Sequence, residues 1–195
     1  MKRKVKIAVL VSGGGTNLQA LIDAGLRYGE ISLVVSNKKD AYALLRAEKA
    51  GIKSVFIPKD NFEEDLTRTL DEEGIEIIIL AGFLRILSED FVKRYPEKII
   101  NIHPSLIPSF CGDGFYGLKV HEAALAKGVK VSGATVHFVN EIPDGGRIIA
   151  QKAVEVKDED TPETLQRRIM EQAEWILLPE AADKVCKEIL ENERV

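Results

Sequence analysis

The chain has 195 residues, enough for one substantial α/β core, and its 45% hydrophobic and 30% charged residues are typical of a globular protein. A net charge of −4 argues against nucleic-acid binding, and no stretch approaches the ~20 apolar residues of a membrane-spanning helix. The apolar run that follows the basic N-terminal residues is too short for a secretion signal, so we expect a cytoplasmic protein.

The first hundred residues alternate between strand and helix patterns. Predicted strands cover residues 5–11, 31–36, 55–57, 76–81 and 98–103, and predicted helices cover 17–26, 41–50, 62–73 and 89–94, the last with Ser88 as N-cap. Most of these strands are apolar on both faces, which favours a parallel sheet covered by helices on both sides. We therefore predict a doubly wound, Rossmann-like α/β sheet, which binds ligands beyond the carboxyl ends of its strands.

The pattern changes in the C-terminal third. A loop at 105–117 and a helix at 118–127 precede two β-rich runs, 131–140 and 147–157, whose connecting turn predicts antiparallel additions to the sheet. A long C-terminal helix then begins at Thr161 and Pro162 and runs towards Glu193, with a kink or break expected near Pro179. Because Thr164 stands where Glu or Gln is usual, we predict no capping box.

Three consecutive glycines lie in the turn between the first strand and the first helix. Backbone N–H groups at such a helix start, with the positive end of the helix dipole, can hold a phosphate, and Thr16 and Asn17 can add donors. Leu18 replaces the third glycine of a dinucleotide fingerprint, and the Walker ending is missing. We interpret Ser12 to Asn17 as a cradle for a phosphate monoester; the alternative is a glycine-rich turn that binds nothing.

Asn101 and His103 end the fifth predicted strand. Residues two apart on a strand face the same side, and Pro104 favours an extended conformation at His103. An amide beside an imidazole can stabilise an oxyanion and exchange a proton, although a structural histidine is the alternative. Asp144, in a turn, could support the imidazole, but spacing alone does not bring it there.

Other polar residues favour structural interpretations. His121 is predicted on a helix, and His137 lies in an alternating run where it could face a polar layer. Cys111 and Cys186 lie far apart without ligand spacing, so we expect reduced thiols, no catalytic cysteine and no metal site.

Several motifs in one order resemble the phosphoribosylglycinamide formyltransferase family, the folate-dependent enzymes of purine biosynthesis. The motifs cover almost the whole chain and lie at residues 12–20, 80–87, 101–108, 133–139 and 144–146. Since the sequence contains no linker, repeat or low-complexity segment, we expect one domain, 1–195, in which the resemblance implies a ribonucleotide-phosphate half (about 1–100) and a catalytic and folate half (about 101–195). It also implies a monomer or homodimer that uses small-molecule substrates, with no nucleic acid, no membrane and no metal.

The resemblance also implies the chemistry. The amine of glycinamide ribonucleotide attacks the formyl carbon of 10-formyltetrahydrofolate, and a tetrahedral intermediate collapses without a covalent enzyme intermediate. One pair of side chains holds the formyl oxygen and assists proton transfer, and an acid orients the histidine and a water. The matching residues are Asn101, His103 and Asp144 for catalysis; Gly13, Gly14, Gly15, Thr16, Asn17 and Glu174 for the ribonucleotide; and Leu84, Arg85, Ile86, Leu87, Val139 and Asn140 for the folate.

Some features depart from the family pattern or leave alternatives open. The segment 62–65 lacks an arginine often found there, for which Arg68 or Lys59 could substitute, and the loop 109–117 is longer and could form a mobile flap. Glu174 could instead lie on a solvated helix face.

Methionyl-tRNA formyltransferase and formyltetrahydrofolate hydrolase are related alternatives, but each carries a further domain that we do not expect in this sequence. A nucleotide-binding module without catalysis is the alternative from a different functional class.

Overall fold

The computed structural model describes residues 3–193 and places seven strands in one sheet. The strands are β1 (Val5–Val11), β2 (Gly29–Ser36), β3 (Ser54–Phe56), β4 (Ile77–Leu80), β5 (Ile99–His103), β6 (Val131–Phe138) and β7 (Ile148–Glu155). The helices are α1 (Thr16–Ala24), α2 (Tyr42–Lys49), α3 (Phe62–Glu73), α4 (Glu89–Arg94), α5 (Leu118–Lys127), α6 (Pro162–Ile169) and α7 (Trp175–Asn192), with a π-helical turn at Met170–Glu174 between the last two.

The strand order is β3-β2-β1-β4-β5-β6-β7. The first five strands pair in parallel, and β6 and β7 pair antiparallel, which confirms the predicted fold class. The chain moves outward from β1 to β3 and then returns to the other side of β1 to form β4. Parallel sheets open a crevice at this switch point, beyond the carboxyl ends of the strands. The loops after β1 and β4 therefore lie side by side there.

The central strands are buried on both faces. In β1, Ile7 and Val9 pack into one apolar cluster with residues of α1 and α7, whereas Ala8 and Leu10 pack into a second cluster with residues of α3 and α4. Successive side chains on a strand point to opposite faces, so a nearly continuous apolar run needs cover on both sides. Both clusters hold the sheet rigid beneath the loops at its carboxyl edge.

The C-terminal helical region differs from its prediction in two places. The predicted absence of a capping box at Thr161 is wrong: the Thr161 side chain accepts from the Thr164 N–H, and the Thr164 hydroxyl accepts from the Thr161 N–H, at 2.9 Å. A threonine hydroxyl thus replaces the usual carboxylate. The expected break near Pro179 is also misplaced, since α7 continues through this proline and the irregularity is the π-turn at Met170–Glu174. One proline removes only one helix hydrogen bond, which burial of α7 against the sheet can offset.

The last helix returns to the beginning of the chain. Arg3 lies 2.9 Å from Glu193, and the Tyr28 N–H donates to the Asp183 carboxylate at 2.7 Å. The ion pair is exposed and contributes little free energy of unfolding, but it shows that both ends of the described chain lie together. Between residues 3 and 193, no helix is long and apolar enough to cross a membrane.

Candidate active site

The polar cluster begins with the antiparallel pairing of β5 and β6. Asn101 lies directly opposite His137, and His103 lies opposite Thr135. Side chains opposite each other in an antiparallel pair lie on one face of the sheet. The Asn101 Nδ2 atom is accordingly 3.2 Å from the His137 Nε2 atom.

Asp144 joins this cluster from the turn between β6 and β7. One carboxylate oxygen, Oδ2, is 3.4 Å from the His103 Nδ1 atom, and the other, Oδ1, is 3.5 Å from the His137 Nε2 atom. The Asp144 backbone has φ 54°, in the left-handed region that aspartate tolerates better than most residues. The turn therefore brings the carboxylate to His103, an approach that residue spacing alone did not predict.

Charge and burial act in opposite directions on this pair. Burial lowers the pKa of His103, and the Asp144 carboxylate and the Phe110 carbonyl offset only part of this effect. For Asp144, burial alone would raise the pKa, but the contacts with His137, the Gly112 N–H and His103 outweigh it and lower the pKa below its usual value. At neutral pH the site therefore holds an ionised carboxylate beside a largely neutral imidazole.

The glycine-rich loop 109–117 contacts His103 and Asp144 through its backbone. The Phe110 carbonyl lies 2.9 Å from the His103 Nε2 atom, and the Gly112 N–H donates to Asp144 at 2.9 Å. Phe110 itself has φ 50°, and its ring packs edge-on against Phe115. Burial raises the pKa of the Cys111 thiol and nearby Asp144 raises it further, which disfavours a reactive thiolate.

The glycine turn after β1 leaves donors free for a ligand. A Cβ atom added to Gly13 or Gly14 would meet nothing within 4 Å, so these residues border open space. Gly15 is the N-cap of α1, with φ 72° and no side-chain cap. Among the described residues, no acceptor is assigned to the backbone N–H groups of Thr16, Asn17 and Leu18. An uncapped helix start of this kind is suited to an anion.

The Asn17 side chain has a partner within the protein. Its Nδ2 group donates to the Glu174 Oε2 atom at 2.7 Å, which ties the start of α1 to the π-turn. Glu174 is only 7% exposed, so the alternative of a solvated helix face is wrong. Burial raises the pKa of Glu174, and the bond from Asn17 offsets part of this rise. One N–H of the Asn17 side-chain amide is thus engaged by Glu174, while the backbone N–H stays available.

Ser12 connects the glycine turn to the segment after β4. Its hydroxyl donates to the Asn37 Oδ1 atom at 2.8 Å and accepts from the Leu84 N–H at 2.9 Å. Its own N–H donates to the Gly82 carbonyl at 3.2 Å. Ser12 is buried at the switch point of the sheet, so one residue links the two loops in which the two substrates were expected.

The first segment expected to bind folate follows β4 at this switch point. Leu84 and Ile86 are 61% and 80% exposed, whereas Leu87 is buried. The Arg85 guanidinium lies over the Phe62 ring and donates to the Lys59 carbonyl. Exposed apolar side chains on a loop of this kind are available to cover an apolar ligand.

The second expected folate segment follows β6. The Val139 N–H donates to the Ile99 carbonyl at 2.8 Å, and the Asn140 side chain accepts from the Ile142 N–H at 3.1 Å.

Of the two candidates to replace the missing arginine, Arg68 is paired with Asp65 at 2.7 Å. In the part of the chain that the structure describes, no group of three or more His, Cys, Asp or Glu side chains is arranged to hold a metal ion.

His137 is the site residue that the sequence interpretation missed. It was assigned a structural role, yet its ring touches Asn101 and approaches Asp144, and the side chain is almost fully buried. Its place in the alternating run 135–139 indicated one face of a strand, but only the register with β5 shows which residue it meets.

Comparisons with known proteins agree with this architecture. The sequence profile of the family described as formyl transferase matches residues 5–181. Phosphoribosylglycinamide formyltransferase of Haemophilus influenzae is 42% identical over 176 residues, which cover 86% of this chain and 81% of that protein. The trifunctional purine biosynthetic protein adenosine-3 of Gallus gallus is 48% identical, although this chain spans only 18% of its length.

A solved structure gives the same result. Phosphoribosylglycinamide formyltransferase from Anaplasma phagocytophilum has a TM-score of 0.88 and 39% identity, covering 95% of this chain and 89% of that chain. Sequence and fold therefore place this chain in the formyl transferase family, among the phosphoribosylglycinamide formyltransferases.

Proposed function

We propose that this protein transfers the formyl group of 10-formyltetrahydrofolate to the amine of glycinamide ribonucleotide, by direct attack of the amine on the formyl carbon. Its family uses a formyl-folate as cosubstrate. The observation that best supports the proposal is the cluster in which Asp144 lies within 3.5 Å of both His103 and His137, with Asn101 beside His137. A module that only binds nucleotides would have no use for this cluster.

The attack creates negative charge on the formyl oxygen as the new carbon–nitrogen bond forms. Asn101 can donate its side-chain N–H to this oxygen, and removing such a donor typically lowers kcat by about 10²–10³. His103, in its protonated form, can donate to the same oxygen when the formyl group takes the place of the Phe110 carbonyl at the Nε2 atom. Both side chains are fixed by their neighbours before substrate arrives, so little reorganisation is needed.

Proton transfer completes the reaction. The attacking nitrogen becomes positively charged and must lose a proton, while the folate nitrogen must gain one when its bond to the formyl carbon breaks. His103 can relay this proton, and the Asp144 carboxylate stabilises the imidazolium. The net change exchanges a formyl group for a hydrogen between two nitrogens, with no covalent bond to the protein.

The two substrates would approach from neighbouring loops. The ribonucleotide phosphate is assigned to the free N–H groups at the start of α1, and its ribose to the neighbourhood of Glu174. The folate is assigned to the segment Leu84 to Leu87 and to Val139 and Asn140. Ser12 lies between these subsites, which fits a reaction in which both substrates must be bound together.

Incubation with glycinamide ribonucleotide and 10-formyltetrahydrofolate tests the proposal directly. The wild type should release tetrahydrofolate and the formylated ribonucleotide, and His103→Ala or Asp144→Asn should lower kcat by about 10²–10⁴. Absence of transfer by folded wild-type protein, or undiminished transfer by both variants, would contradict the assignment. Binding of the ribonucleotide without turnover would favour the nucleotide-binding module.

A further inference from the structure

His137 presents a defined hydrogen-bonding pattern to Asn101. Its Nδ1 atom lies 2.8 Å from the Phe138 carbonyl oxygen, which can only accept, so the Nδ1 atom carries the proton. In a neutral imidazole the other nitrogen, Nε2, is then an acceptor. The group 3.2 Å from this acceptor is the Asn101 Nδ2 atom, a donor. The Asn101 amide thus has the orientation that an unprotonated Nε2 atom requires.

This contact determines the orientation of the Asn101 side chain. If the amide were turned over, its Oδ1 oxygen would face the Nε2 lone pair and the hydrogen bond would become a repulsion. With the nitrogen towards His137, one N–H is used by the imidazole and the second stays available as a donor. Asn101 is only half buried, so packing alone does not prevent the turned-over orientation.

We propose that His137 is a positioning residue for formyl transfer: its neutral, Nδ1-protonated ring holds the Asn101 amide so that an N–H points to the formyl oxygen. The inference rests on the proposed function and deepens it. A histidine with only a structural role would need no more than a hydrogen-bond partner for each ring nitrogen. In the Nε2-protonated tautomer, Asp144, 3.5 Å from Nε2, could be the partner of that nitrogen. With the Nδ1 proton held by the Phe138 carbonyl, Nε2 can donate to Asp144 only in the imidazolium form, so the proposal requires the neutral ring, whose Nε2 atom accepts from Asn101.

Two substitutions separate positioning from structural support. His137→Leu removes the acceptor but keeps an apolar body in the strand, and we expect kcat to fall at least about tenfold with both KM values changed less than about threefold. His137→Gln can place its side-chain oxygen near the Nε2 position, and it should recover most of the lost kcat. Thermal unfolding of each variant shows whether the fold is retained.

A double-mutant cycle with Asn101→Ala is the decisive measurement. If His137 acts through Asn101, His137→Leu should change kcat little once Asn101 is absent, because the effects of coupled residues do not add. An equal loss in both backgrounds would overturn the proposal, as would a folded His137→Leu variant with wild-type kcat. A folded Gln variant no better than Leu would also overturn it.

The tautomer gives a test that does not depend on turnover. The chain has only three histidines, so ¹⁵N-labelled imidazole signals of the wild type can be assigned with one variant for each. We expect a proton on the Nδ1 atom of His137 at pH 8; a proton on Nε2 would overturn the proposal even if a variant fails to fold. Absence of formyl transfer by the wild type would instead overturn the proposed function, whatever the tautomer.

Discussion

Both ring nitrogens of His103 face oxygen acceptors, the Asp144 carboxylate and the Phe110 carbonyl. This arrangement favours the imidazolium, since each N–H then has an acceptor, whereas burial favours the neutral ring and has the larger effect. Because the pKa of Asp144 is lowered, its carboxylate stays ionised throughout the neutral and mildly acidic range. Asp144 and Phe110 thus offset part of the effect of burial, and they give the imidazolium two acceptors when His103 takes up a proton.

His121 supplies a pH-dependent contribution to stability. It is fully buried, neither ring nitrogen has a partner within residues 3–193, and burial, with a smaller contribution from His103, lowers its pKa from 6.5 to about 4. The unfolded chain therefore takes up a proton first as the pH falls from 6.5 towards 4, and this part of the stability is lost over that window.

We predict that His121→Leu flattens the pH dependence of unfolding. Denaturant titrations at pH 7 and pH 5 should show that the wild type loses about 2 kcal/mol more unfolding free energy between these values than the variant does. Between pH 7 and pH 9 both proteins should change in parallel, because the imidazole is neutral in both states. Equal losses between pH 7 and pH 5 would contradict a lowered pKa.

The glycine turn between β1 and α1 contains two adjacent glycines, Gly14 and Gly15, and a side chain would be tolerated at only one of them. Gly15 adopts φ 72°, and a Cβ atom there would lie 2.6 Å from the Ala43 Cβ atom, whereas a Cβ atom on Gly14 meets nothing within 4 Å. Only Gly15 is therefore needed for the fold, and Gly14 is the residue whose open space suits a ligand.

Alanine at each position should separate stability from binding. Gly15→Ala should lower the free energy of unfolding by about 2 kcal/mol or more, from left-handed backbone strain and contact with Ala43. Gly14→Ala should leave it unchanged or raise it by about 0.4–1 kcal/mol, yet raise the KM of the ribonucleotide without affecting that of the folate. Denaturation curves and steady-state kinetics measure both; an unchanged ribonucleotide KM in Gly14→Ala would argue against a phosphate cradle.

Ser12 joins two loops, and its removal should affect both substrates. Ser12→Ala leaves the Leu84 N–H and the Asn37 oxygen without their partner, at a cost of about 1–3 kcal/mol in stability, and should raise both KM values. Ser36→Ala is a matched control, because Ser36 is also buried at a strand end but its hydroxyl bonds only to the backbone of Lys38. The control should lower stability while leaving both KM values unchanged. A similar kinetic effect in both variants would refute a specific bridge.

Elements with clear boundary residues could be predicted from sequence alone. The helix at Phe62–Glu73 and the helix at Leu118–Lys127 have the predicted first and last residues, and each is followed by a glycine with positive φ that ends it. Ser88 also caps α4 as predicted, accepting from the Phe91 N–H. These signals are local, so the sequence contains all the information they need.

Features that depend on distant partners could not be predicted in this way. The π-turn turns Glu174 towards Asn17, 157 positions earlier, and no local pattern indicates it. The approach of His137 to Asn101 needs the register of β5 against β6, and the approach of Asp144 needs the turn that follows. The family resemblance identified Asp144, but it supplied no distance.

For the molecule as a whole, the C-terminal helical region completes a site that begins with the first strand. Glu174 accepts a hydrogen bond from the Asn17 side chain in the first turn of α1, and Asp183 accepts one from the Tyr28 backbone N–H just before β2. α7 packs in the same apolar cluster as alternate residues of β1. The proposed phosphate cradle is therefore supported by both ends of the described chain, and loosening α7 should weaken ribonucleotide binding as well as the fold.

The pairing of Arg3 with Glu193 also means that the order of the elements along the chain can be changed without moving them. A circular permutant could join residues 193 and 3 by a short Gly/Ser linker and open the chain between Asp158 and Glu159, in the exposed turn before α6. We expect it to fold cooperatively and to retain formyl transfer within about threefold of wild type, measured by thermal unfolding and steady-state kinetics. Failure to fold would show that the connectivity at this point, and not only the packed arrangement, is needed. The contact between the Arg3 and Glu193 side chains thus brings the two ends of the described chain within reach of a short linker.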